Sequence, residues 1–284
     1  MGGVFRHLGG HHYGRGLPRA RARRPRLDAA FVDLARPEPP VRRRDARGDH
    51  SRRRQGRGQL QLVRPERAGG DVSASYERTK LIRQKYVKYF DKAEPIVEVG
   101  FGDGMLMKWM QEQGYAVIGV DRNAQWVARA SRRDLRVVES DAVQFLLEHE
   151  AKFGGIVLSH VIEHVPVERN EALIEACFRS LMSNGVILII TPNVHTLSGA
   201  ADFWNDPSHV RAYTLDSLRR LLTDGGFEVA DLGFDRDTAF RVRKDPLHFP
   251  LDLVRWGLGF VCFGSAGRFS EVFAVGRKVR PRRA

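Results

Sequence analysis

The sequence predicts a doubly wound α/β domain over residues 76 to about 277, a mostly parallel seven-stranded sheet with helices on both faces. Three observations predict it. Short apolar runs of strand length alternate with stretches of helical periodicity, the pattern of parallel strands joined by crossover helices. A glycine turn, Gly100-Phe101-Gly102-Asp103-Gly104, follows the first apolar run and opens a helix. Acidic residues, Asp121 and Asp141, close the next two runs, where sheets of this kind bind ligands.

The elements follow in order. Tyr76–Phe90 carries apolar and aromatic residues at roughly helical spacing. Ile96–Gly100 reads as a strand, Met105–Gln113 as a helix, Ala116–Val120 as a strand and Ala124–Ser131 as a helix. Arg136–Glu139 is a strand, Val143–Glu150 a helix and Gly155–Ser159 a strand. A helix over Arg169–Met182 is closed by Asn184-Gly185, and the strand Val186–Thr191 is stopped by Pro192. The helix Leu215–Asp224 ends at Gly225-Gly226, Phe227–Leu232 is a strand, and Phe273–Gly276 is the last. An insertion from about 234 to 269 precedes it.

Residues 1–75 differ in character. They hold 18 Arg, no Lys and 7 acidic residues, a net +11, while the other 209 residues hold 29 basic and 27 acidic side chains, a net +2. The net +13 of the chain therefore says little about the domain. With no sustained periodicity, the segment reads as a disordered leader that cannot offset its ordering entropy. Arg without Lys also fits a misassigned start in a GC-rich gene. A third reading is an Arg-Gly tail binding RNA, with the fold as scaffold; nucleic acid is the less expected partner. Two cysteines make no disulfide framework and suit a reducing cytoplasm. No run of 18 apolar residues marks a spanning helix, and no apolar h-region marks a secretory signal.

The most specific motif is Val97-Glu98-Val99-Gly100-Phe101-Gly102-Asp103-Gly104, an E-x-G-x-G-x-G strand-to-helix turn. A dinucleotide fingerprint would want its third glycine at position 105, which is Met105. With Asp121-Arg122, Asp141-Ala142 and the segment Ser159-His160-Val161-Ile162-Glu163-His164-Val165 after the fourth strand, the chain resembles the class I S-adenosylmethionine-dependent methyltransferases, of Rossmann-like fold. The resemblance covers nearly all of 76–277. It implies S-adenosylmethionine as cofactor, with Glu98, Gly100, Phe101, Gly102 and Gly104 under its methionine part. It further implies Asp121 and Arg122 at the ribose, Asp141 and Ala142 beside adenine, and Ser159 and His160 at the rim.

The acceptor has its own signal. Base N-methyltransferases of this fold carry an Asn/Asp-Pro-Pro-aromatic turn after the fourth strand, and Ser159-His160-Val161-Ile162 departs from it. After the fifth strand, Trp204-Asn205-Asp206-Pro207-Ser208-His209-Val210-Arg211 resembles the W/Y-x-D-P-[ST]-H-V-R loop of methyltransferases associated with bacterial O-antigen, capsule and other surface glycans. The resemblance implies a sugar, sugar-linked phosphate or related polyol as the acceptor; the alternative is a small carboxylate, quinone or secondary metabolite. His209 is the candidate general base, since a neutral imidazole suits partial removal of a hydroxyl proton. Asp206 is its candidate orienter, and Arg211 a candidate holder of phosphate or carboxylate. The same residues also make a good turn and cap, with His209 bonded to backbone. His160 and His164 have a metal-compatible spacing, but no third ligand is evident and no acidic cluster for Mg²⁺ appears, so no metal is expected.

Within the insertion, the largely apolar Phe249–Phe263 is too short to span a bilayer. It is open to several readings: ordinary packing, a cap on the acceptor pocket, a dimer seam, or a peripheral contact with the inner membrane. In the last, Arg268, Arg277, Lys278 and Arg280 would face headgroups.

Overall fold

A computed structural model of the chain describes residues 72–236, 249–264, 267 and 269–279. The leader up to residue 71, residues 237–248, 265, 266 and Arg268 of the insertion, and residues 280–284, Arg280 among them, lie outside the described residues. The elements are α1 (Val72–Arg83), a 3₁₀ turn (Gln84–Tyr89), β1 (Ile96–Val99), α2 (Met105–Glu112), β2 (Val117–Asp121) and α3 (Ala124–Ser131). They continue with β3 (Val137–Glu139), α4 (Ala142–Glu148), β4 (Phe153–Ser159), a 3₁₀ turn (Ile162–His164), α5 (Val167–Ser180) and β5 (Leu181–Pro192). Last come α6 (Leu197–Trp204), α7 (Leu215–Asp224), β6 (Glu228–Phe234), α8 (Phe249–Phe263) and β7 (Glu271–Arg277).

The seven strands lie in the order β3-β2-β1-β4-β5-β7-β6, parallel except for β7, which runs antiparallel to both its neighbours. The order reverses between β1 and β4, so the crevice at a switch point lies beyond Gly100 and His160. Strands covered on both faces carry side chains that water never reaches: Ile96, Ile118, Ile156 and Ile189 are fully buried, under apolar residues of α2, α4, α5 and α7. Local chemistry sets the helix starts. Asn123 and Asp141 cap α3 and α4 through side-chain oxygens, and Thr214 and Ser217 make a reciprocal capping box on α7.

Helix α1 runs from Val72, four residues before the expected start of the domain. Two expectations need correction. The helix expected to close at Asn184-Gly185 ends at Ser180. Leu181, fully buried, already pairs with Phe153, and the ladder resumes at Gly155 with Val186, so the Asn184 turn (φ +68°) is a bulge within β5. Arg277 and Lys278 cannot join α8 at a membrane. Antiparallel β7 carries them to the opposite end of the sheet, where Arg277 donates to the Asn184 carbonyl (3.1 Å) and Lys278 to that of Leu181 (2.8 Å). The apolar insertion does form a helix, α8, and Leu253, Val254, Leu258 and Val261 on it are exposed. Among the described residues, no helix is long and apolar enough to cross a membrane.

Candidate active site

The turn after β1 is built for a close ligand. Gly100, Gly102 and Gly104 all have positive φ (65°, 54° and 71°), a region that side chains disfavour. A Cβ on Gly100 or Gly104 would strike Val161 or Leu135, whereas the space beside Gly102 is open. The Phe101 ring is buried and faces Gly119, so only its backbone is left to line the crevice. Glu98 is 4% exposed, and its Oε2 has no hydrogen-bond partner among the described residues. Burial first, then the nearby charge of Asp103, pushes its carboxyl up to about 8. A buried, unpartnered carboxyl oxygen at the head of a glycine cradle fits a ligand that brings a cationic donor.

The strand-end acids divide. Asp121 closes β2 half-buried and accepts from the Asn123 amide at 2.8 Å, with exposed Arg122 beside it. Asp141 is occupied structurally: its carboxylate accepts from the amides of Val143 and Gln144 and from Arg169 at 3.0 Å. Burial opposes its charge, but the Arg169 hydrogen bond and the capped amides hold its pKa below the ordinary value. As the cap of α4, it positions Ala142 at the end of β3 with its own oxygens already used.

Beyond β4 lies an ionic network that sequence reasoning missed. Glu163 is fully buried; Oε1 meets Nδ1 of His160 and Oε2 accepts from Thr191, each at 3.1 Å. His160, at φ +57°, reaches on through Nε2 to Glu271 (3.1 Å). Glu271 is bound by Arg83 (2.5 and 3.1 Å), which also reaches buried Asp235 (3.3 Å), itself bonded by Tyr86 (2.8 Å) and Lys85. Burial opposes charge on His160, but hydrogen bonds to Glu163 and Glu271 outweigh it and raise the imidazole to about 9. Burial likewise opposes charge on Glu271, yet Arg83 and His160 hold it far below the usual carboxylate range. Three cations, Arg83, Lys85 and His160, thus meet three carboxylates, Asp235, Glu271 and Glu163. The network ties α1 to the ends of β4, β6 and β7, and His160 belongs to it.

The Trp204–Arg211 loop is pinned to the backbone of Glu163. The amides of Val210 and Arg211 both donate to the Glu163 carbonyl (2.8 and 3.3 Å), which brings the His209 ring to 4.5 Å from that of His164. Nδ1 of His209 lies 2.7 Å from the Phe203 carbonyl. A carbonyl only accepts, so Nδ1 carries the proton and the neutral ring keeps its lone pair at Nε2. Phe203, not Asp206, therefore orients His209, and its ring also stacks on the imidazole at 4.8 Å. Asp206 works one step away. It accepts from the Ser208 amide (3.0 Å) and hydroxyl (2.5 Å), so that hydroxyl is left to accept from Nδ1 of His164 at 3.0 Å. His164 too keeps its lone pair at Nε2, and burial holds its pKa below the ordinary value despite Glu163. One atom each of Glu163, His164 and His209 lie within 4.8 Å of one another. Arg211 turns aside: its guanidinium stands 5.0 Å over the Tyr213 ring and lines a groove between α5 and α7 with Asn170, Thr214 and Arg220.

Comparison with known proteins fits this geometry. Residues 74–232, more than half of the chain, match the family described as methyltransferase domain. A protein of Mycolicibacterium smegmatis named "Probable S-adenosylmethionine-dependent methyltransferase" is 32% identical over 137 residues, 48% of this chain and 52% of its own. A ubiquinone biosynthesis O-methyltransferase of Psychrobacter arcticus is 27% identical over 132 residues, 44% of this chain and 48% of its own. The chain thus spans about half the length of the curated relatives it matches. Among solved structures, a SAM-dependent methyltransferase from Archaeoglobus fulgidus aligns with a TM-score of 0.57 at 22% identity, over 72% of this chain and 94% of that one. A [4+2]-cyclase shares the fold at a TM-score of 0.52 and 19% identity, over 74% of this chain and 82% of that one, so chemistry must be argued from the site. With the E-x-G-x-G-x-G cradle, the buried Glu98 and the matched residues in agreement, the chain belongs to the methyltransferase-domain family.

Proposed function

We propose that this chain transfers a methyl group to a hydroxyl oxygen of a sugar or glycan-type acceptor. The carrying observation is the double backbone bond from Val210 and Arg211 to the Glu163 carbonyl, which sets two imidazoles with Nε2 lone pairs beside the strand ends. Bound S-adenosylmethionine supplies an electrophilic methyl group on a sulfonium. A hydroxyl that takes the methyl must shed its proton, and the His164–His209 pair offers lone pairs for that task. The likeness of Trp204–Arg211 to the loop of surface-glycan methyltransferases supports a sugar as acceptor. A second reading, a phenolic hydroxyl of a quinone precursor, is favoured by the relative named for ubiquinone biosynthesis. The test offers nucleotide sugars, glycan fragments and catechols to the enzyme with S-adenosylmethionine, reading S-adenosylhomocysteine and the mass of the acceptor. Methylation of a sugar hydroxyl is expected; methylation of catechols alone selects the second reading, and transfer to amines or carboxylates alone overturns both.

Glu98 predicts a pH signature. Its carboxyl is raised from 4.5 to about 8 in the folded protein, so the fold favours the protonated form. The stability from this group is full below about 4.5 and is lost as pH rises through 8. Ligand-free protein should therefore melt lower at pH 9 than at pH 6, and Glu98→Gln should flatten that slope. If the cofactor's ammonium meets Glu98, binding near pH 7 should release a proton. Binding enthalpies in buffers of different ionisation heat should then differ, and Glu98→Gln should erase the difference. Identical enthalpies in all buffers for the wild type would refute the contact.

A further inference from the structure

We propose that Glu163, His164 and His209 form a binding site for one divalent first-row transition cation. Three facts carry this. One ligating atom from each of the three lies within 4.8 Å of the others, drawn from the 3₁₀ turn after β4 and from the loop before α7. Both imidazoles are held as metal-ligating histidines usually are: the Nδ1 of His209 is fixed by the Phe203 carbonyl, and that of His164 by Ser208 and, through it, Asp206. Such partners set the ring orientation and leave Nε2 for the ion. The Glu163 carboxylate offers about four lone-pair sites, of which His160 and Thr191 use one each.

The donor set selects the cation. Two imidazoles and a single carboxylate suit zinc, manganese, iron or cobalt, whereas magnesium and calcium take oxygen-rich sets. Ligand atoms around an ion at about 2.0–2.2 Å stand roughly 3–4 Å apart, so the rings need to close by about an ångström. Three protein ligands leave coordination positions for a substrate oxygen, the arrangement of a catalytic rather than a structural site. An ion here would occupy the Nε2 lone pairs, so in place of direct proton transfer to the rings it would itself hold the acceptor hydroxyl and lower its pKa, a role that rests on the hydroxyl methylation proposed above. Binding of the ion does not depend on it. The sequence hides the site, because His209 stands 45 residues beyond His164 and comes beside it only through the two amide bonds to Glu163.

The test uses the full chain stripped with a chelator and then freed of it. Zinc is titrated by calorimetry and cobalt by visible absorption, with S-adenosylhomocysteine affinity and melting temperature recorded alongside. One ion per chain is expected, with cobalt bands of imidazole ligation. His209→Gln and His164→Gln should each weaken uptake at least tenfold while S-adenosylhomocysteine affinity stays unchanged. Failure to take up either ion in protein that still binds S-adenosylhomocysteine would overturn the proposal. So would uptake that both variants leave intact. Sugar methylation that survives chelation, without ion uptake, would overturn the ion and keep the proposed function. Ion uptake at this site without transfer to any hydroxyl would do the reverse.

Discussion

Replacing His209 with Gln should lower turnover on a hydroxyl acceptor by about 10²–10⁴-fold, the usual contribution of a group that handles the acceptor proton. An amide can hydrogen-bond but offers no basic lone pair. The loss should appear in kcat, with S-adenosylmethionine affinity unchanged, because His209 lies on the acceptor loop while the cofactor cradle follows β1. His164→Gln should show a similar loss, since its ring lies 4.5 Å from that of His209. Asp206→Asn should cost less. Its carboxylate acts on His164 through the Ser208 hydroxyl, and an amide oxygen can still accept from that hydroxyl. Steady-state kinetics on the three variants give the order. Near-normal kcat for His209→Gln would remove the imidazole pair from the reaction.

Arg83→Met should be among the most destabilising single changes in the domain. Arg83 is buried and answers two carboxylates, Asp235, which has no access to water, and Glu271, which keeps a little. Removing one partner from a buried ionic group leaves charge uncompensated at a cost of about 3–5 kcal/mol. For a domain of this size that corresponds to a fall in melting temperature of roughly 6–20 °C. Arg83→Lys should recover only part of it, because an ammonium cannot reproduce the two-pronged contact with Glu271. Thermal melts of the three proteins check this. A change of under about 1 kcal/mol for Arg83→Met would mean the network relaxes freely or is open to solvent.

The sheet was legible in the sequence wherever one local signal sufficed. α3 and α7 fall where caps and periodicity place them, since Asn123, Thr214 and the Gly225-Gly226 pair act within a turn of their helices. The glycine cradle and the strand-end position of Asp121 were legible for the same reason. The end of α5 was misread because Asn184-Gly185 is a good helix stop in isolation; burial of Leu181 against Phe153 converts it to a bulge. In the candidate site, sequence reasoning found His209 and Asp206 but joined them directly. The structure puts Asp206 behind His164 and a backbone carbonyl behind His209. Glu163, the residue between two histidines, was passed over because its partners are distant in sequence: Thr191 lies 28 residues away, and the network it joins through His160 includes an Arg83–Glu271 pair 188 residues apart. No periodicity records such contacts. The Ser159–Val165 segment, with its charged residues at a strand end, was the available hint.

The most direct test of the account is calorimetric titration of the purified chain with S-adenosylmethionine and S-adenosylhomocysteine. One site per chain is predicted for each. Asp121→Ala should weaken binding by roughly 1–3 kcal/mol, the cost of leaving ligand hydroxyls without their acceptor, while the melting temperature of the free protein holds. Wild-type protein that is folded yet gives no heat with either ligand, at concentrations up to the millimolar range, would contradict the assignment of the cradle and everything built upon it.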